Sequence, residues 1–187
     1  MDENIFFTAD EHYGSKRTLE VTRRPFTSVE EMDNAMVARV NDLPENAIVY
    51  HVGDFGQYET VKLFRPDIKH VLIFGNYEDW HLKIHKSEQH MGMEFVDYLL
   101  DLGFSAIHSL DHQIELYPNV TMNMVHKPTE ADLNKFNLFG HIHRLQMVKR
   151  FGLNVGVDVH KYRPVPLSTV RHYHHLIESF YDEDVFC

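Results

Sequence analysis

Short apolar runs rich in Ile, Val and Phe recur along the chain at residues 5–8, 47–52, 71–74, 120–125 and 136–139, each followed by a small or polar cluster. Runs of this length bounded by turn-forming residues predict buried strands. Between the first two lies Ser28-Val29-Glu30-Glu31, a capping box leading into Met32, Ala35, Met36, Val37 and Val40 at helical spacing. This predicts a crossover helix. Further helices are expected over 60–64, over 94–102 ended by Gly103, and over 168–180. Segments 106–110 with 113–117, and 145–150 with 153–157, read as hairpins around short turns. Together the elements predict an α/β sandwich in which helices cover mixed β-sheet. No repeat, low-complexity tract or linker interrupts the pattern, so residues 1–187 are read as a single domain.

Composition narrows the function classes. Eighteen Lys plus Arg against 28 Asp plus Glu leave a formal charge of -10, so attraction to long nucleic acid or to an anionic membrane cannot rest on net charge. Any anionic substrate must be held by local charge. Cys187 is the only cysteine, which excludes an intrachain disulfide and fits a reducing, cytoplasmic setting. No apolar run approaches the roughly 20 residues that span a bilayer, and the first residues lack the pattern of a signal peptide. No membrane partner is expected; a homo-oligomer is compatible with the composition. Fifteen histidines are the unusual feature.

Open, parallel-rich sheets bind ligands at the carboxyl ends of their strands. There the chain carries Asp10-Glu11-His12, Gly53-Asp54, Gly75-Asn76, His126 and Gly140-His141-Ile142-His143, one block after each of the five apolar runs. In an extended segment residues i and i+2 point the same way, so Asp10 with His12, and His141 with His143, are expected to present two ligands each to one side. Seven candidates result: Asp10, His12, Asp54, Asn76, His126, His141 and His143. That is too many for one tetrahedral zinc. Mixed carboxylate, imidazole and amide donors suit two divalent ions of borderline character, Mn foremost, with Fe, Zn, Ni or Co as alternatives, and one Asp bridging them. Two dications and two Asp leave about +2 at the site, enough to draw in a phosphate despite the acidic whole.

These blocks, in this order, resemble the calcineurin-like metallophosphoesterase superfamily, whose motifs are Asp-x-His, Gly-Asp, Gly-Asn-His-Asp/Glu, a lone His and Gly-His-x-His. The likeness extends to the small single-domain bacterial and phage branch through Arg24-Pro25-Phe26 and Asn154-Val155-Gly156-Val157-Asp158. The resemblance implies a four-layered αββα sandwich. It also implies Asp10, His12, Asp54 and His143 around one ion and Asp54, Asn76, His126 and His141 around the other, with Asp54 bridging. The expected activity is hydrolysis of phosphoesters by a hydroxide activated between two metal ions.

One departure shapes the substrate. Tyr77 stands where the superfamily usually has the histidine that protonates the leaving group. A phenol with pKa near 10 is a poor general acid at neutral pH, so small or nucleotide-like phosphodiesters are favoured over monoesters. Tyr77 can still hydrogen-bond a phosphoryl oxygen. Arg24, Lys127 and Arg144 are the basic residues expected to grip nonbridging oxygens. The alternatives are a phosphomonoesterase, or a metal-binding scaffold that recruits protein partners. Of the remaining histidines, His51 reads as a core residue and His160 as a loop residue at the rim.

Overall fold

The structure, a computed structural model, describes residues 4–85, 91–109 and 111–182; Leu110 and Cys187 lie outside them. One sheet is built from β1 (Ile5–Thr8), β2 (Ile48–Val52), β3 (Lys69–Ile73) and β4 (Ala106–His108), all parallel. The second contains β5 (His112–Tyr117), β6 (Val120–Met124), β7 (Phe136–Phe139), β8 (Val148–Lys149) and β9 (Gly152–Asn154), in the order β5-β6-β7-β9-β8. Its inner pairs are parallel and its outer pairs antiparallel. A short strand, β10 (Val165–Pro166), returns antiparallel to β1. The helices are α1 (Lys16–Val21), α2 (Val29–Asn41), α3 (Asn76–His85), α4 (Met91–Leu102) and α5 (Leu167–Phe180). The chain is therefore an α/β protein with two mixed sheets.

Strand alternation divides the apolar residues into two layers. Phe6, Val49 and Leu72 pack with Met32, Met36 and Leu99 from the helices. Phe7, Val52, Val71 and Ile73 point the other way, against Met122, Met124, Leu138 and Leu153 of the second sheet. Helix α5 adds Leu167 and Val170 to this second layer and touches β1, β9 and β10. The carboxyl ends of the parallel strands of both sheets consequently open at one end of the sandwich.

The helix α2 and the β8–β9 hairpin lie where the sequence places them, and Ser28 caps α2 by accepting from Glu31 N at 3.1 Å. The other expected hairpin does not form. β4 pairs with β3 in the first sheet and β5 with β6 in the second. Ile107 packs against the helix-side core, whereas Ile114 and Leu116 belong to the layer between the sheets. Ala106 of β4 packs into that same layer, so β4 and β5 lie in separate sheets on either side of it rather than pairing edge to edge. Two helices go beyond the sequence reading: α1, capped by Ser15 just after the first block, and α3, which begins at Asn76 itself. Among the described residues no helix is long and apolar enough to cross a membrane.

A buried polar string runs through the helix-side core, from Glu11 Oε1 to His51 Nδ1 at 2.5 Å and from His51 Nε2 to His70 Nδ1 at 3.0 Å. Burial pushes the Glu11 carboxyl up to about 8 and the imidazoles down, His51 to about 3 and His70 to about 2. Between the ordinary values of 4.5 and 6.5, Glu11 and His51 together hold one proton both folded and unfolded, so as a pair they add no pH dependence there. His70 does, because the unfolded chain protonates it and the fold does not. Its contribution is complete above about pH 6.5 and is lost as pH falls, by about 1.4 kcal/mol per pH unit. Urea denaturation at pH 6.5 and pH 5 should show a flatter pH dependence for His70→Leu than for wild type. Equal slopes would mean that His70 is already solvated in the fold.

Candidate metal centre

Each predicted ligand sits at a strand exit: Asp10 and His12 after β1, Asp54 after β2, Asn76 after β3, His126 after β6, His141 and His143 after β7. The expected extended geometry is replaced by tighter turns. Asp10, His12, Asp54, His141 and His143 all have positive φ, between 48° and 70°. This left-handed region costs non-glycine residues roughly 1–2 kcal/mol each. It bends the chain back at every ligand, so side chains from separate strands converge where alternation along one strand could not bring them. Five such residues in one place mark a site where the fold sustains local strain.

Close approach of the turns requires residues without Cβ. A Cβ on Gly53 (φ +82) would stand 2.5 Å from His126 Nδ1 and 2.6 Å from Gly75 Cα; one on Gly75 would stand 2.5 Å from Asp54 Oδ1. Glu78, fully buried at the start of α3, accepts from Asp54 N (2.9 Å), Phe55 N (3.1 Å) and Gly75 N (2.8 Å). One carboxylate thus ties the exits of β2 and β3 together. Burial and the nearby Asp54 charge push its pKa up, against the Asp54 and Gly75 N–H donors.

The seven side chains meet. Asp54 Oδ2 lies 3.6 Å from His12 Nε2 and 3.4 Å from His126 Nε2, and Asp10 Oδ1 lies 3.9 Å from the same His126 nitrogen. Asn76 Oδ1 is 3.1 Å from His126 Nε2 and 2.9 Å from His141 Nδ1. Two groups bring three donor atoms within 4.8 Å of one another, Asp10–His12–His143 and Asp10–Asp54–His126. The carboxylate common to both is Asp10, where the resemblance implies Asp54; Asp54 nevertheless reaches a histidine of each group.

The chemistry of these donors fits metal. His12 is buried with neither ring nitrogen hydrogen-bonded, and burial lowers its pKa to about 3, so it is a neutral imidazole with free lone-pair capacity. His126 donates Nδ1–H to Val52 O at 2.8 Å, which turns Nε2 toward the carboxylates. Burial opposes its charge, yet the bond to Asp54 and the field of Asp10 and Asp54 raise it to about 9. The carboxylates thus create a field that favours positive charge. Divalent ions at this position would be held by the seven predicted residues.

Asp158 was not among the candidates, although it follows β9 and the same strand-exit reasoning applies to it. It accepts from His143 Nδ1 at 2.7 Å, fixing that ring, and pairs with Arg24. Arg24 is the clearest correction. Expected to grip substrate, it has a fully buried side chain that donates to Asp10 O (2.6 Å), Glu11 O (2.7 Å) and both Asp158 oxygens (3.0 and 2.9 Å). Its role is to shape the Asp10 turn. Lys127 is engaged with Glu130 at 3.3 Å, and Arg144 donates to the Tyr162 hydroxyl at 2.6 Å. The cation that lines the cleft is Arg17, which sequence reasoning overlooked because α1 carries no motif. Tyr77 is at the cleft as expected, with its ring centroid 4.9 Å from that of His12 and its N–H donated to Asp54 Oδ1 at 2.9 Å. His51 is buried in the core, and His160 bonds the Asn154 carbonyl at 2.7 Å.

Comparison with known proteins leaves the activity open. No protein-family model matches the chain. An uncharacterized protein of Methanocaldococcus jannaschii is 25% identical over 177 residues, covering 89% of this chain and 88% of the relative. A crystal structure of a protein of unknown function from Aquifex aeolicus superimposes with a TM-score of 0.66 at 15% identity, covering 90% of this chain and 97% of the other. The fold is therefore shared with a solved structure along nearly its whole length.

Proposed function

We propose that this protein is a dinuclear metal-dependent phosphoesterase of the calcineurin-like type, acting on phosphodiesters of small or nucleotide-like alcohols in the cytoplasm. The observation that carries the reading is the convergence of seven side chains from five strand exits: Asp10, His12, Asp54, His126 and His143 form two three-donor groups that share Asp10, and Asn76 Oδ1 bridges His126 and His141 beside them. On this reading the sandwich is the four-layered αββα form, with α5 supplying the last helical layer. Mn is the favoured metal, with Fe, Zn, Ni or Co as alternatives.

Bound dications would supply positive charge that lowers the pKa of an attacking water and stabilises charge on the phosphoryl group. The chain's own residues prepare that chemistry. Val52 O and Asp158 orient His126 and His143, and Arg24 and Glu78 hold the Asp10 and Asp54 turns. Arg17 and Thr18 border a cleft of about 200 Å³ together with Tyr77, placing a guanidinium where nonbridging oxygens need one. Tyr77 can donate a hydrogen bond there without acting as a strong acid, which favours leaving groups that depart without full protonation.

The test is a panel of mono-, di- and cyclic phosphoesters offered to metal-stripped protein with Mn, Ni, Zn or Mg restored singly. Diester turnover that appears only with added metal is expected. Activity confined to monoesters would overturn the inference from Tyr77. Stoichiometric metal binding without turnover would favour a scaffold that recruits protein partners.

A further inference from the structure

A second cavity, of about 560 Å³, lies between α3 and α4, a volume suited to one small organic ligand. Its walls carry the rings of Tyr58, His81, Phe95 and Tyr98. The planes of these rings are ordered. His81 and Phe95 lie 8° from parallel with centroids 6.1 Å apart, and Phe95 and Tyr98 lie 25° from parallel at 6.5 Å. Tyr58 stands edge-on to the first two, at 76° and 72°. Three near-parallel faces beside one perpendicular wall make a slot for a flat ring. A compact cation is held instead by ring faces turned toward one point.

Helix α3 joins this cavity to the metal centre. Tyr77 lines the metal cleft, and His81, four residues further along the same helix face, lines the cavity. Four residues of helix advance about 6 Å, the reach of one pentose between a phosphate and a base. Tyr58 makes a second connection, because its hydroxyl bonds Glu78, the carboxylate that ties the exits of β2 and β3 together. The rim is rich in acceptors. Glu59 accepts from the Tyr98 hydroxyl at 2.6 Å, which orients that ring and holds the carboxyl below its usual range, so it is anionic at neutral pH. Glu94 adds a second carboxylate, and no lysine or arginine lines the cavity among the described residues. Such a rim repels a phosphate and accepts from N–H donors.

We propose that this cavity binds a guanine base and that, resting on the phosphoesterase reading above, it is the base subsite for a nucleoside phosphodiester. The flat bicyclic ring stacks on the near-parallel faces. Its ring N–H and exocyclic amino group are adjacent donors on one edge, and a rim carboxylate accepts from both. The corresponding edge of adenine sets an acceptor beside its donor, so a carboxylate meets it at one point only. The negative rim keeps the phosphoryl group out of the cavity and leaves it to the metal cleft, where Arg17 stands.

Trp80 is the only tryptophan of the chain and abuts His81, with ring centroids 5.3 Å apart, so its emission reports on the cavity. The full chain is titrated with guanosine, adenosine, ribose and choline, followed by Trp80 fluorescence and by calorimetry. Saturable binding of guanosine is expected, roughly tenfold tighter than that of adenosine, with ribose and choline far weaker than either. Tyr98→Ala should weaken guanosine about tenfold, and Glu59→Gln combined with Glu94→Gln should erase the preference over adenosine. No binding of guanosine, binding that these variants leave unchanged, or equal affinity for choline would overturn the inference. A kinetic arm compares the nitrophenyl esters of guanosine monophosphate and of methyl phosphate with Mn added. The expected KM is roughly tenfold lower for the nucleotide ester, a preference lost in Tyr98→Ala. Turnover of both at equal KM defeats the base subsite while leaving the hydrolase standing. Guanosine binding without turnover of either ester defeats the hydrolase while leaving the base site standing.

Discussion

Alanine at position 54 is expected to lower turnover of a chromogenic phosphodiester by about a thousandfold or more, with little loss of folded protein. The Asp54 carboxylate lies within 3.6 Å of His12 and 3.4 Å of His126, so its removal takes from the site the acceptor that reaches both histidine groups. It also removes much of the negative field that attracts dications, and metal affinity should fall with activity. The fold should survive, because the amide N–H of residue 54 still donates to Glu78. Tyr77→Phe provides the contrast. It removes one hydroxyl and leaves every ligand in place, so a loss of only about three- to thirtyfold is expected. Wild-type rates after Asp54→Ala, in protein shown to bind metal normally, would refute the assignment of the centre.

Arg24→Met is expected to be the most damaging single change to stability, lowering the unfolding free energy by about 3–5 kcal/mol. The guanidinium is buried with Asp158, and its loss leaves that carboxylate only the His143 ring at 2.7 Å and Arg144 Nε at 3.8 Å, and the Asp10 and Glu11 carbonyls without their donor. Against a typical total of roughly 5–15 kcal/mol, this is a drop in melting temperature of about 10 °C. Arg24→Lys should recover little, because an ammonium cannot reproduce the forked contact with both Asp158 oxygens. Adding Asp158→Asn to Arg24→Met should restore part of the stability by removing a buried charge that has lost its closest cation. It should not restore metal affinity, since His143 then lacks its anionic partner. Differential scanning calorimetry with and without Mn separates the two effects. A melting temperature unchanged by Arg24→Met would show that the buried pair is not as drawn.

The candidate centre was legible in the sequence because strand exits and metal donors are both local signals. Asp10, His12, Asp54, Asn76, His126, His141 and His143 could each be placed after an apolar run; the structure groups five of them around Asp10 and joins Asn76 and His141 to them through the contact with His126. What local signals cannot carry is the destination of a side chain. Arg24 stands beside a proline and a capping box, a position that says nothing of whether it turns outward or, as it does, under the Asp10 turn. Arg17 belongs to a helix of six residues, too short for hydrophobic periodicity to reveal, and so the cation at the cleft was missed. The division of 106–117 between two sheets escaped for a related reason. Turn chemistry signals a short link between two strands, but β4 finds its partner in β3 and β5 in β6, pairings that a local signal does not reveal.

The left-handed turns at the ligands restrict how the centre can change. At positions 10, 12, 54, 141 and 143 a branched Cβ collides with its own backbone, whatever the side chain might offer a metal. A combinatorial library randomised at these five codons should therefore lose valine, isoleucine and threonine at the level of expression, before any selection for catalysis is applied. The survivors should be dominated by asparagine, aspartate, histidine and glycine, and three of those four can coordinate an ion. Drift at these positions is thereby channelled toward new donor sets more often than toward an inert surface.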